Sequence, residues 1–298
     1  MIKLIICVVG PTGVGKTKLS IMLAKKYNAV VINADACQVY KGMDIGTAKV
    51  TREEKEGVPH YLFDIKNPDE EYTVYDYQKD LRELLYRYSS NNIILVGGSG
   101  LYLTAGLYDY EFSPKEAKDL EEFSNEELFD MCKDINEDVD IHPNNRRRLE
   151  NYLKNTNHDT KEPKLLYDNV KFIGLTTDTD KLYERINLRV DKMFEQGLID
   201  EVRKLRDTYG STKILNSAIG YKEIINYLDD KITLDDAVKI IDSIKQNSRH
   251  YAKRQYTWFN NKNDVKWFNT DYDNFNNTFN EVVNYLEEEN GSASWYNK

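Results

Sequence analysis

Cysteine is scarce in this chain, and each such shortage removes a class of protein. The three cysteines stand at positions 7, 37 and 132, odd in number and far apart. That spacing excludes a disulfide framework and suits a reducing cytosol. Long apolar runs are lacking as well. Residues 2–9 form too short a stretch for a secretory leader or a membrane span, so a cytoplasmic protein with no membrane association is expected. Positive charge is in deficit: 41 Lys and Arg stand against 50 Asp and Glu, a net charge of −9. A polyanion would therefore have to be met by a local basic patch rather than by bulk attraction. Internal repeats are absent. What is present, 298 residues with 40% hydrophobic content, is enough for one large α/β domain or for a core with a smaller inserted unit.

The stretch Gly10-Pro11-Thr12-Gly13-Val14-Gly15-Lys16-Thr17 fits the phosphate-cradling pattern G-x-x-x-x-G-K-[ST]. Its surroundings fit too. Leu4 to Val9 reads as a buried strand, and Lys18 to Tyr27 as a helix with Leu19, Met22, Leu23 and Tyr27 on one face. Backbone amides and a helix N-terminus would thus converge on one anion. Lys16 would add a point charge for the outer phosphates, and the Thr17 hydroxyl would be a ligand for Mg²⁺. The motif specifies pyrophosphate or polyphosphate and nothing finer.

Further strands are expected at 29–33, 61–65, 92–96, 170–175 and 265–268. Asp35, just past the second strand, stands where ligands bind in open α/β sheets, although a solvated strand-end carboxylate would look the same. After Val96 a nucleotide hydrolase usually places an acid that supports its metal; here Gly97-Gly98-Ser99-Gly100 follows instead. That omission favours group transfer over a motor, with Ser99 either presented at the strand end or merely capping the next helix. Thr73 caps a helix in which Val74, Tyr77, Leu81, Leu84, Leu85 and Tyr88 recur at helical spacing.

Residues 113–167 turn charged and helical, with a capping box at Ser124 to Glu127 and the triplet Arg146-Arg147-Arg148. They read as a helical insertion between 1–112 and 168–298. The triplet is either a solvated face or a phosphate contact. Residues 180–208 predict a helix bent at Gly197. A longer helix from Thr233 carries a seam of Leu234, Ala237, Ile241, Ile244, Ser248, Ala252, Gln255 and Phe259. Beside it Lys245, Arg249 and Lys253 recur every four residues with no acid between Ser243 and Asn263, a candidate polyanion face. A last amphipathic helix is expected through Phe275, Phe279, Val282, Val283 and Leu286, and a loose tail over 291–298.

With these motifs placed, the sequence resembles the tRNA dimethylallyltransferase family over most of its length. The blocks that carry the resemblance are Gly10 to Thr17, DACQVYKGMDIGTAK at 35–49, GGSGLY at 97–102, IHPN at 141–144, LYERINLRVDKMFEQGLIDEV at 182–202, AIGYKE at 218–223 and RHYAKRQYTW at 249–258. The resemblance implies a P-loop NTPase-like parallel sheet flanked by helices, with a small helical insertion domain that grips the anticodon stem-loop. It implies transfer of a dimethylallyl group from dimethylallyl diphosphate to the exocyclic amino group of the adenosine immediately 3′ of the anticodon, with Mg²⁺ as cofactor. A monomer is the expected working form, although no residue pattern specifies it. On this basis Asp35 is the general base, Ser99 positions the reacting groups, and Lys16 stabilises the leaving pyrophosphate held by Gly10 to Thr17. Asp35, Ala36, Cys37, Gln38, Ser99, Arg147, Arg148, Arg249 and Lys253 are the residues expected to meet tRNA. The chain departs from the family pattern at Ala36, usually Ser, at Ser99, usually Thr, and at Asn145, usually Asp. Rival readings are a small-molecule kinase using the same loop for ATP, a tRNA-binding relative without activity, and an adenylate dimethylallyltransferase acting on free nucleotide.

Overall fold

A computed structural model of the chain describes residues 4–112, 116, 118–155, 163–228 and 232–290. The expected tail at 291–298 lies outside the described residues. The chain divides into two compact units, Met1–Leu107 with Leu166–Lys298, and Tyr108–Leu165.

The larger unit is built on a six-stranded sheet in the order β3-β2-β4-β1-β5-β6, every pairing parallel. The strands are β1 (Ile5–Val9), β2 (Ala29–Asn33), β3 (His60–Tyr61), β4 (Asn92–Val96), β5 (Val170–Thr176) and β6 (Val265–Asn269). Every residue of β1 and β2 is buried, as continuous apolar runs require when helices cover both faces of a parallel sheet. β3 is shorter than the expected 61–65, because Leu62 and Asp64 take left-handed φ values of 62° and 54° and turn the chain out of the ladder.

Ile6, Val8, Val31, Ile94, Ile173 and Leu175 pack against Leu19 and Leu23 of α1 (Lys16–Tyr27) and against Val282, Val283 and Leu286 of α10 (Phe275–Asn290). Burying each such side chain contributes about 1.5–3 kcal/mol before the entropy of ordering the chain is subtracted. The helices α2 (Val74–Arg87) and α3 (Gly100–Leu107) meet through Tyr77 and Tyr102, stacked with ring centroids 4.0 Å apart. Thr73 caps α2 in a full capping box with Asp76. Gly197, at φ 96°, separates α6 (Thr179–Glu195) from α7 (Leu198–Tyr209), the expected bend. The short α8 (Lys222–Ile225) has no counterpart in the sequence reading.

The long helix α9 (Leu234–Lys262) buries Ile240, Ile244, Ala252, Gln255 and Phe259. Leu234, expected on that seam, is instead 88% exposed, because the buried stripe enters one turn and a half later, at Ile240.

β1 and β4 are neighbours, yet the chain leaving β1 goes to β2 on one side and the chain leaving β4 goes to β5 on the other. Adjacent strands whose connections diverge leave a crevice at their C-terminal ends. The residues that follow β1, β4 and β2 are the glycine-rich loop, Gly97 to Ser99, and Asp35.

The smaller unit pairs α4 (Asn125–Ile135) with α5 (Arg146–Lys154) around Leu120, Leu128, Cys132, Leu149 and Leu153. Ser124 caps α4 in the expected capping box with Glu127. Asn145, at one of the positions where the chain departs from the pattern it resembles, caps α5 by accepting from the Arg148 amide at 3.3 Å.

Candidate active site

The loop after β1 closes on itself through Lys16, whose Nζ donates to the Pro11 carbonyl at 2.7 Å. Gly15 caps α1 with φ 95°, where a Cβ would also meet the Phe275 ring at 2.7 Å, so only glycine serves there. Three other elements grip the loop backbone. Gln255 of α9 accepts from the Thr12 amide at 3.0 Å. Arg185 of α6 donates to the Gly13 carbonyl at 3.3 Å while lying over the Tyr272 ring. Thr270, after β6, donates to the Val14 carbonyl at 3.0 Å.

Gln255 also spans the crevice, donating through Nε2 to the Gly98 carbonyl at 3.2 Å. The approach is so close that a Cβ on Gly98 would run into the Gln255 amide, which is why the strand end carries glycine where an acid was looked for. Ser99 does not cap α3 with its side chain. Its hydroxyl accepts from the Ala36 amide at 3.0 Å and hydrogen-bonds the Tyr251 hydroxyl, which Gln255 also engages.

Asp35 is fixed by its own turn. Its amide donates to Asn33 Oδ1 at 2.9 Å, its carbonyl accepts from Asn33 Nδ2 at 2.9 Å, and its Oδ1 accepts from the Cys37 amide at 2.9 Å. The other carboxylate oxygen has no protein donor among the described residues. Asn33 is itself wholly buried, with its carbonyl accepting from the Tyr77 hydroxyl at 3.0 Å.

Asp35, Lys16, Gln38, Arg189 and Tyr251 line one cavity of about 1000 Å³. Arg189 of α6 donates to Thr12 Oγ1 at 2.9 Å and to the Thr47 carbonyl at 3.4 Å. Burial pushes Lys16 down to about 7, helped by the Arg189 charge and opposed by Asp35. Burial likewise lowers Arg189, again opposed by Asp35. Two half-buried cations crowded into one cavity are destabilised until an anion joins them, so the pocket is electrostatically short of negative charge. The Cys37 thiol is pushed well up, by burial first and by Asp35 second, and stays protonated.

The structure therefore gathers Gly10 to Thr17, Asp35, Ala36, Cys37, Gln38 and Ser99 around one cavity, or next to it. It treats the basic residues differently. In the smaller unit Arg146 is consumed internally, donating to the Phe123 and Leu120 carbonyls at 2.7 Å each and pairing with Glu150 at 2.6 Å. Arg147 and Arg148 are exposed and have no side-chain partner among the described residues. On α9, Lys245 pairs with Asp191 of α6 at 2.6 Å, so the apparent one-sign face borrows an acid from its neighbour helix. Arg249 donates to Asn187 Oδ1 at 2.7 Å, and Lys253 is exposed without a partner among the described residues.

The sequence reading assigned no role to Arg185, Arg189 or Gln255. The first two sit four apart at the edge of the α6 apolar seam, a position where a solvated arginine looks the same. Gln255 falls on the apolar seam of its helix, where a buried amide is itself the signal of a partner to be found.

The profile of the IPP transferase family matches residues 38–262. The tRNA dimethylallyltransferase of Anoxybacillus flavithermus is 45% identical, over 95% of this chain and 96% of its own length. That of Fusobacterium nucleatum is 44% identical over 89% and 91%. Among solved structures, the tRNA delta(2)-isopentenylpyrophosphate transferase of Staphylococcus epidermidis superposes with a TM-score of 0.73 at 36% identity, covering 96% of this chain and 99% of that one. A eukaryotic dimethylallyltransferase acting on tRNA superposes with a TM-score of 0.81 at 26% identity, covering 98% of this chain and 80% of that one.

Proposed function

The chain belongs to the IPP transferase family, and from that premise we propose that it transfers a dimethylallyl group from dimethylallyl diphosphate to tRNA. The acceptor is the exocyclic amino group of the adenosine immediately 3′ of the anticodon, and pyrophosphate is released. The observation that carries the reading is the joint placement of Lys16, Arg189 and the Asp35 carboxylate on one cavity.

The adenine amino group is a weak nucleophile, since its lone pair is delocalised into the ring. Transfer therefore depends on stabilising the leaving group and on removing a proton. The loop amides and Lys16 receive the pyrophosphate oxygens, with Lys16 exchanging the Pro11 carbonyl for phosphate and Arg189 adding a second charge. As the bond from the allylic carbon to oxygen breaks, a bond from that carbon to the amino nitrogen forms. The displaced proton passes to the open oxygen of Asp35. Ser99, held by Ala36 and Tyr251, keeps the strand end in register beside it. An adenosine must leave the anticodon-loop stack to reach Asp35, at a modest cost for an unpaired base.

The oxygen donors available, the exposed Thr17 hydroxyl and a diphosphate, suit a hard cation that retains most of its waters. Among the described residues there is no group of three or more His, Cys, Asp or Glu that could hold a metal. Thr17 would hold Mg²⁺, which when bound supplies positive charge to the pyrophosphate oxygens. Arg147, Arg148 and Lys253, exposed and without a side-chain partner among the described residues, are the cations we assign to tRNA phosphates, and Arg249 contributes once Asn187 releases it. No described helix is long and apolar enough to cross a membrane, and the three cysteines are free. A cytoplasmic location, where the tRNA acceptor is found, and a monomeric working form belong to this proposal.

The test is incubation with dimethylallyl diphosphate, Mg²⁺ and tRNA lacking the modification, followed by mass analysis of the nucleosides. Dimethylallyl adenosine is the expected product. Its absence contradicts the reading, and labelling of free adenylate in place of tRNA reassigns the acceptor.

A further inference from the structure

After Gln38 the chain turns away from the cavity and comes back through residues 41–49, and this return is held by one carboxylate from another element. Glu201, in the first turn of α7, accepts through Oε2 from the amides of Asp44 and Ile45 at 3.1 and 2.8 Å. Through Oε1 it accepts from the Gly46 amide at 3.1 Å and from the Tyr221 hydroxyl at 2.6 Å. Three successive amides aimed at one point form a nest that attracts an anion, and here the protein fills it from within. A second anchor closes the loop. Lys49, with a side chain only 4% exposed, donates to the Tyr40 carbonyl and to Asp44 at 2.7 Å each and to Asp64 at 2.6 Å.

Thr47 lies between these anchors. Its carbonyl accepts from Gln38 Nε2 at 3.0 Å and from Arg189 Nη2 at 3.4 Å. The Glu201 contacts thus end, two steps later, on a side chain that lines the cavity. We propose that Glu201 is a positioning residue for the transfer: it touches no substrate, and it fixes the Thr47 carbonyl and through it the direction in which Gln38 meets the tRNA. This rests on the reading of Gln38 as a tRNA-facing residue. Arg189 is less dependent on Thr47, because its shorter bond runs to Thr12.

Glutamine at 201 keeps the size but turns one of two acceptors into a donor facing donors, so the nest must open. A displacement of about 1 Å at a positioning group can cost on the order of 10²-fold in rate. The experiment measures kcat and KM for tRNA at saturating dimethylallyl diphosphate, and KM for the diphosphate at saturating tRNA, in the wild type, Glu201→Gln, Gln38→Ala and the double variant. Glu201→Gln is expected to lower kcat/KM for tRNA by roughly 10²-fold, with the KM for the diphosphate nearly unchanged. In the Gln38→Ala background the further loss from Glu201→Gln is expected to shrink to about threefold or less, since the two act through one contact. Losses that simply multiply would overturn the proposal, as would wild-type kinetics in Glu201→Gln or a silent Gln38→Ala. Should Glu201→Gln fail to fold, the same cycle with Tyr221→Phe, which removes one donor of four, is expected to give a smaller loss that again vanishes with Gln38→Ala. A wild type that transfers nothing would remove the function itself, which keeps that failure apart from this one.

Discussion

The charged residues of this chain fall into two sets that face opposite physical problems. Lys16, Arg189 and Asp35 line a shared cavity, hold one another's charges in check, and have hydrogen bonds to the loop or to its turn. Arg147, Arg148 and Lys253 stand in solvent without partners among the described residues. An enclosed charge costs desolvation energy and is retained only where something repays it, so each enclosed residue should have a sharp, individual effect on the chemical step. A solvated charge costs almost nothing and is screened by salt, so the exposed set should act additively, on affinity alone.

The comparison is broken most severely at Asp35. Asn there keeps the size and the hydrogen bond from Cys37 but cannot take the proton, so single-turnover transfer is expected to fall by ~10²–10⁴ while both substrates still bind. Near-normal transfer would return Asp35 to the role of a strand-end carboxylate. Next comes Lys16→Ala, which removes a charge most useful as pyrophosphate leaves. Its kcat is expected to drop by about 10²–10³, more than diphosphate affinity does, and a rise in KM alone would contradict the assignment.

The exposed set gives smaller effects of a different kind. Replacing Arg147 and Arg148 together with Ala should flatten the salt dependence of tRNA binding by about one to two units of slope. Arg146, in the same triplet, sharpens the contrast. Arg146→Ala should leave that slope alone and destabilise the 108–165 unit by about 1.5–3 kcal/mol, because it removes charged hydrogen bonds to two carbonyls; hydrogen exchange of that unit reads the change. The smallest effect is expected at Ala36. Its amide is already held by Ser99, so Ala36→Ser should leave transfer unchanged or raise it modestly in the same kinetic assay.

The enclosed set was half legible in the sequence. The phosphate loop, Asp35 and Ser99 announce themselves because each follows a buried strand, and a parallel sheet brings its C-terminal strand ends together whatever else the chain does. Arg189 and Gln255 were not legible, since their meaning depends on which helix crosses which strand end, and local periodicity carries no such information. The triplet shows the converse. Arg146, Arg147 and Arg148 are equivalent as letters, and only the packing of α5 on α4 turns one inward and leaves two in solvent. Burial at the start of α9 and the length of β3 depart from the sequence pattern for related reasons: Leu234 has the pattern of a core residue but sits on an exposed first turn, and left-handed residues cut β3 short.

The division of labour is tested most directly by measuring kcat and KM for tRNA from low to high salt, in the wild type and in the Arg147→Ala, Arg148→Ala double variant. The expected result is a KM that rises steeply with salt in the wild type and less steeply in the variant, with kcat equal in both and nearly flat. A kcat that falls with salt as steeply as affinity, or that drops in the double variant, would contradict the assignment of chemistry to the enclosed set and grip to the exposed one.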